Sequence, residues 1–203
     1  VNALDSVGWR RLSEEIDRLN GDDAVRVIVV RAEGRGFCAG VDIKELQAHP
    51  DRIVEVNAGN YETFRALHRG LKPAIAAVHG YVLGGGIGIC GAVDIIVAAD
   101  DATFGVPEVD RGALGAGAHL QRMFPLQKVR KMYFTGEPIT AAEAYRLGAV
   151  EKVVARGELR ASALELAGKI AAKSPTIVRL AKEALNGVEE GDLERHYRWE
   201  QGF

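Results

Sequence analysis

Glu108 lies in the string FGVPEV, residues 104–109, directly after Pro107 and ahead of a glycine-rich stretch. A carboxyl flanked by Val106 and Val109 is a candidate for desolvation, which raises its pKa and suits it to moving protons near neutrality. The plainer alternative is an exposed loop glutamate. Gly84, Gly85 and Gly86 fall between a predicted strand and a predicted helix. Missing side chains there let backbone N–H groups approach a ligand, so the run is a candidate oxyanion site, with close helix–sheet packing as the alternative. A second glycine element, FCAGVDIKE at residues 37–45, sets Ala39, Gly40 and Val41 in a turn that presents another backbone donor or is simply a structural loop.

Two other patterns carry less chemistry. Gly86, Gly88 and Gly91 satisfy G-x-G-x-x-G, and Asp110 follows at an interval suited to a ribose-binding acid. A dinucleotide fold needs a full crossover helix before the next strand, whereas DIIVAA begins almost at once after Ala92, so nicotinamide binding is set aside. No G-x-S-x-G occurs, and no serine or cysteine has an evident base, which leaves nucleophilic catalysis unsupported. His79, before Gly80, is expected to be a strand-end hydrogen-bonding group.

The elements that must position these residues follow from periodicity. Trp9, Leu12, Ile16 and Leu19 recur at helical spacing, and the β-branched run Val25 to Val30 predicts a buried strand. Tyr61, Phe64, Leu67 and Leu71 predict a second helix ended by Lys72-Pro73. AIAAVHG reads as a buried strand, GGGIGICGAV as a short helix, and DIIVAADDATFG as one strand breaking into a second. GALGAGAHLQRMF and LQKVRKMYFTG read as helical, and Thr140 with Glu143 forms a capping box whose helix Gly148 closes. AVEKVV supplies one more strand before three amphipathic segments. Strands early and helices late argue for a layered α/β domain of stacked parallel turns.

The chain has 203 residues, Lys+Arg 26 against Asp+Glu 28 and a net charge of -2, the balance of one globular domain without the basic stripe that neutralises phosphate backbones. Cys38 and Cys90 suffice for neither a disulfide framework nor a zinc knuckle and read as buried small side chains in a reducing compartment. No apolar run approaches the ~20 residues needed to cross a bilayer, so a cytoplasmic location is the expectation. The first residue is Val1 and the last, Phe203, falls within an amphipathic segment, so trimming at both ends is expected.

FCAGVDIKE, AAVHGYVLGGGIGICGAVDIIVAADDATFGVPEV and GALGAGAHLQR, in this order and spacing, resemble the crotonase superfamily, the enoyl-CoA hydratase/isomerase family, and TGEPITAAEAYRLGAVEKVV extends the likeness over nearly the whole chain. The resemblance implies an α/β fold, a crotonase-like ββα spiral over residues 1–173 with a C-terminal helical region over 174–203. It implies an acyl-coenzyme A thioester as substrate and no metal or prosthetic group. It places the two N–H donors for the thioester oxygen on Val41 and Gly85, and runs the coenzyme A moiety along Ala39, Val41, Asp42, Ile43 and Lys44. A solvated Lys44 is the alternative.

The hydratase pattern asks for two glutamates. Glu108 matches the second, but Gly88 occupies the position of the first, which puts simple hydration in doubt. Asp110 and His119 are candidate substitutes; their plainer roles are a loop carboxylate paired with Arg111 and a polar helix-face histidine. The leading expectation is an enoyl-CoA hydratase/isomerase-type enzyme that stabilises a thioester enolate and transfers a proton through Glu108. The first alternative is a ring-opening C–C hydrolase of a cyclic β-keto acyl-CoA, since DDATFGVPEVDRGALGA with YRWEQGF resembles an actinobacterial branch that opens a steroid-derived ring. The second is a non-catalytic binding protein of the same fold. The resemblance also implies a homotrimer or dimer of trimers, with no nucleic acid or membrane partner.

Overall fold

The computed structural model describes residues 2–189 and 192–202. Helix α1 (Ser6–Gly21) starts where the Asp5 side chain accepts the Gly8 N–H at 2.7 Å, and buries Trp9, Ser13, Ile16 and Asn20 along one face. Strand β1 (Ile28–Arg31) begins later than the β-branched run suggests, because its parallel partner β2 (Ala74–Val78) offers pairing only from Ile28↔Ala74 onward and the preceding residue there is Pro73. Between them lie α2 (Ile43–Ala48) and α3 (Ile53–His68). The short α2 was not legible from its apolar spacing and is set by Asp42, whose side chain accepts the Lys44 N–H at 2.9 Å.

After β2 come β3 (Tyr81–Leu83), α4 (Gly85–Ala92), β4 (Ile95–Ala99) and β5 (Thr103–Gly105). Helices α5 (Gly117–Met123) and α6 (Leu126–Thr135) lead to β6 (Ile139–Thr140), α7 (Ala141–Arg146) and β7 (Lys152–Val154). Two sheets result, one parallel in the order β1-β2-β4-β7 and one in the order β3-β5-β6. Two successive turns, β2–β3 and β4–β5, each contribute a strand to the first sheet and then one to the second and stack in parallel, β2 on β4 and β3 on β5, while β6 joins the second sheet antiparallel to β5 before β7 completes the first. This is the expected ββα spiral, closed by α8 (Leu159–Ala171), α9 (Pro175–Val188) and α10 (Leu193–Glu200).

The all-buried β2 explains the two-sided core. Ile75 and Ala77 join Val97, Ala99 and the Leu159, Ala163 and Ala167 face of α8, while Ala74, Ala76 and Val78 face the main cluster with Trp9, Phe64 and Ile87. The Thr140 hydroxyl accepts the Glu143 N–H at 3.2 Å, as the capping box predicts, and Gly148 follows α7 at φ +83. GALGAGAHLQRMF is helical only from Gly117, because Gly112 and Ala116 both adopt positive φ. Among the described residues no helix is long and apolar enough to cross a membrane. α10 folds back on its own chain, burying Leu193 and Tyr197, and Glu194 meets His68 Nδ1 at 2.6 Å.

Candidate active site

The two glycine turns meet. Cys38 bridges to Val82 in parallel, with Leu83 N–H donating to Cys38 O at 2.9 Å, so the segment after Cys38 runs beside the segment after Leu83. Gly40 has φ +87, and a Cβ there would stand 3.0 Å from Gly85 N; a Cβ on Gly85 would stand 3.2 Å from Gly40 Cα. Leu4 pairs with Val41 through Leu4 N–H to Gly40 O and Asp42 N–H to Leu4 O, both 2.9 Å, which turns the Val41 N–H to the opposite side. Gly85 opens α4, so its N–H has no carbonyl one turn earlier in the helix. Neither amide donates to an acceptor among the described residues. Ala39 is half-buried and donates to Asn2 O at 3.3 Å, while Ile43 and Lys44 are exposed in the first turn of α2.

Glu108 sits on a 3-10 turn, Pro107–Arg111, opened by the proline. Its carboxyl lies against Gly84, where φ is +50 and a Cβ would come within 2.3 Å of Glu108 Oε1, and beside Gly115, whose Cβ would be 3.4 Å from the same oxygen. Only glycine at 84 admits both the left-handed backbone and the carboxyl. Glu108 Oε2 is buried without a hydrogen-bond partner. Burial pushes the pKa up to about 7, with the Glu200 carboxylate adding to the rise and Arg111 opposing it. A carboxyl that exchanges its proton near neutrality therefore touches the residue preceding Gly85.

The place of the first hydratase glutamate is filled. A Cβ on Gly88 would stand 2.2 Å from Phe64 Cζ, so the Phe64 ring occupies the space a side chain would enter. Trp9 packs edge-on to Phe64 with ring centroids 5.8 Å apart, and its Cζ2 would be 2.5 Å from a Cβ on Gly85. His119 is 1% exposed, packs on Phe64 at 4.6 Å and Tyr197 at 4.9 Å, and leaves Nδ1 without a partner. Burial, with Arg122 and His68 nearby, lowers its pKa to about 3, so the ring is neutral rather than the polar helix-face group of the simplest reading. Asp110 is exposed, its carboxyl against Gly136, and no Asp110–Arg111 ion pair occurs among the described residues. The two carboxyls of one turn thus have separate neighbours.

The cysteines are buried, and burial pushes the Cys38 thiol up to about 11 and Cys90 further upward, which suits neither to nucleophilic work. His79 Nε2 meets Gly34 O at 3.1 Å, the expected strand-end hydrogen bond. Among the described residues no group of three or more His, Cys, Asp or Glu side chains is arranged to hold a metal ion.

Phe64 and Trp9 read as core residues in the sequence, and helical spacing carries no signal that they border this site. Glu200 was missed altogether. From the end of α10 it accepts the Gly117 N–H at 2.6 Å, the Ala118 N–H at 3.0 Å and the Tyr133 hydroxyl at 2.9 Å. Tyr133 in turn accepts the Gly115 N–H at 3.0 Å.

The enoyl-CoA hydratase/isomerase family profile matches residues 1–202. The chain is 45% identical over 205 residues to the (7aS)-7a-methyl-1,5-dioxo-2,3,5,6,7,7a-hexahydro-1H-indene-carboxyl-CoA hydrolase of Rhodococcus jostii, covering 100% of this chain and 80% of the relative. It is 45% identical to the hydrolase of the same name from Mycobacterium tuberculosis, covering 100% and 83%. The crystal structure of an enoyl-CoA hydratase/isomerase from Xanthobacter autotrophicus superposes with a TM-score of 0.91 at 29% identity, covering 98% of this chain and 77% of that one. An enzyme, not a non-catalytic binding protein, is therefore at hand. The chain belongs to the enoyl-CoA hydratase/isomerase family, the crotonases, and is an acyl-CoA enzyme.

Proposed function

We propose that this protein is a ring-opening C–C hydrolase of a cyclic β-keto acyl-CoA, with Glu108 as its proton carrier and the Val41 and Gly85 N–H groups as donors to the thioester oxygen. The observation that carries this reading is a buried carboxyl near neutral pKa with no second carboxylate at position 88, where the Phe64 ring stands. The two 45%-identical relatives named as hydrolases of a dioxo bicyclic carboxyl-CoA support it. Hydration of a linear enoyl-CoA uses two carboxylates to hold and activate water, which speaks against a hydratase; an isomerase needs only one glutamate, and it is the two named hydrolases that favour ring opening over it.

One carboxylate suffices for ring opening. Glu108 takes a proton from water as the hydroxyl adds to the ring ketone. The bond between that carbon and the α-carbon then breaks, its electron pair passing into the thioester enolate. Two fixed N–H dipoles in a water-poor site stabilise the enolate oxygen, at about 3 kcal/mol per donor. Glu108 returns its proton to the α-carbon. One water is consumed, a carboxyl group forms and the thioester remains intact.

The test is turnover against paired substrates in H2-18O. A cyclic β-keto acyl-CoA is expected to give a ring-opened acid carrying one 18O, while a linear enoyl-CoA is left unchanged. Hydration or double-bond migration of the linear ester without action on the cyclic one overturns the reading. Self-association is proposed as well: α9 exposes Ile177, Leu185 and Val188 at 63%, 68% and 78%, an apolar face suited to another copy. Light scattering of the full chain is expected to give a trimer or hexamer, and a monomeric mass contradicts it.

A further inference from the structure

The hydrogen bonds around the 113–117 loop reach from the end of the chain to the candidate proton carrier. Glu108 rests on Gly115, the Gly115 N–H donates to the Tyr133 hydroxyl, and that hydroxyl donates to Glu200. The same Glu200 carboxylate holds the first two N–H groups of α5, Gly117 and Ala118. A Cβ on Gly117 would stand 3.1 Å from Glu200 Oε1, so the carboxylate lies directly on the backbone. These contacts tie three elements, α5, α6 and α10, to one side chain, and the loop they fix is a wall of the space that holds the Glu108 carboxyl.

We propose that Glu200 is a positioning residue for Glu108, holding the Gly115–Ala118 wall and Tyr133 in place and setting one negative charge beside the proton carrier, so that α10 completes the active site. This rests on the reading of Glu108 as that carrier. A capping role alone would explain the two α5 hydrogen bonds, but not the hydroxyl that links Glu200 back to Gly115. The groups that face Glu108 electrostatically are Glu200 and Tyr197 from α10, Tyr133 from α6, and Arg111 from its own turn. Burial is the largest cause of the raised Glu108 pKa, and Glu200 adds to it whereas Arg111 opposes.

The sign of each substitution follows. Glu200→Gln removes the negative charge, so protonated Glu108 loses support and its pKa falls. Tyr133→Phe removes a donor that offsets the Glu200 charge, so the Glu108 pKa rises. A purely structural role predicts no such opposed pair.

The experiment is a carboxyl-carbon NMR titration of full-length protein carrying labelled glutamate, with Glu108→Gln identifying the Glu108 signal, on the parent, Glu200→Gln and Tyr133→Phe. The expected result is a Glu108 midpoint lowered by about half a pH unit or more in Glu200→Gln and raised in Tyr133→Phe. The ascending limb of the kcat profile is expected to move with it. An unmoved Glu108 midpoint in both variants overturns the proposal and leaves Glu200 as a cap of α5. If Glu200→Gln does not fold, Tyr133→Phe alone decides by the sign of its shift. The titration needs no substrate, so it stands apart from the identity of the reaction; full turnover by Glu108→Gln would instead remove the proton-carrier reading.

Discussion

The ring of Phe64 stands where a side chain at Gly88 would have to be, with Cζ 2.2 Å from the position of a Gly88 Cβ. Restoring the hydratase carboxylate by Gly88→Glu is therefore expected to destabilise the fold by about 2–4 kcal/mol, through overpacking and burial of an unpaired carboxyl, without conferring hydration of a linear enoyl-CoA. Urea denaturation of Gly88→Glu, Phe64→Ala and the double variant checks this. The double variant is expected to be more stable than the sum of the two losses, because the cavity left by Phe64 takes the new side chain. Strict additivity would show that the two positions do not share space.

Glu108→Gln is expected to lower turnover by roughly 10²–10⁴-fold while leaving thioester binding nearly unchanged. The base must be ionised to take a proton from water, so the parent's kcat rises with pH through about 7. The stability effect has the opposite sense. An unfolded chain loses this proton near 4.5 and the folded protein only near 7, so folded protein holds more protons in that window. Stability from this group therefore declines as pH rises from 4.5 to 7 and stays lower above it. Glu108→Gln lacks that decline and is expected to melt higher than the parent at pH 8; a lower melting temperature there would show that burial of Glu108 carries no ionisation cost.

Where local periodicity and local caps decide, the sequence is readable: α1 follows its apolar spacing, α3 follows Tyr61, Phe64 and Leu67 but stops at His68 short of Leu71, β2 follows its apolar run, and α7 its Thr140–Glu143 box. The Glu108 and Gly85 neighbourhood was legible as motif but not as geometry, since Gly84 and Gly40 matter through what a Cβ would strike. Residues 112–116 looked helical because positive φ at Ala116 leaves no mark in the alternation of apolar residues. Phe64 and Glu200 were invisible as site neighbours for another reason. Each reaches the site across a long stretch of chain, through a ring filling a gap and a carboxylate capping a distant helix. Such pairings follow from packing of whole elements, which spacing along one element cannot report.

Gly84→Ala tests the closeness of the carboxyl and the donor turn. The added methyl would stand 2.3 Å from Glu108 Oε1 on a backbone at φ +50, so both carboxyl position and backbone must shift. Turnover is expected to fall about 10²-fold, the scale of a displaced catalytic group, with a smaller change in thioester affinity. Gly157→Ala is the control, because a Cβ there meets nothing within 4 Å. Stopped-flow turnover beside calorimetric binding separates the two effects, and equal kcat values for both variants would place Glu108 away from the working site.

His119 gives the protein an acid-sensitive stability independent of the proton carrier. Its ring is buried with Nδ1 unpartnered, and its pKa falls from 6.5 in an open chain to about 3 when folded. Between those values the unfolded chain binds a proton that the folded protein refuses, so this contribution to stability is full above 6.5 and is lost as pH falls toward 3. Glu194 adds its own acid loss: burial alone would raise its pKa, but His68 and Arg69 outweigh that and hold it at about 2, so its share begins only below 4.5. Between 6.5 and 4.5 Glu194 contributes little, but Glu108 acts in the opposite sense, so His119 is read there in a Glu108→Gln background. In that background His119→Leu, which keeps the packing against Phe64 and Tyr197 apolar, is expected to flatten the dependence of unfolding free energy on pH in that window. Because the proposed reaction routes its proton through Glu108 alone, His119→Leu by itself, with Glu108 present, is expected to keep the kcat profile near 7 in place. A displaced limb would bring His119 into the proton path, and an unchanged slope of stability against pH would show that the buried ring takes a proton as readily as a free one.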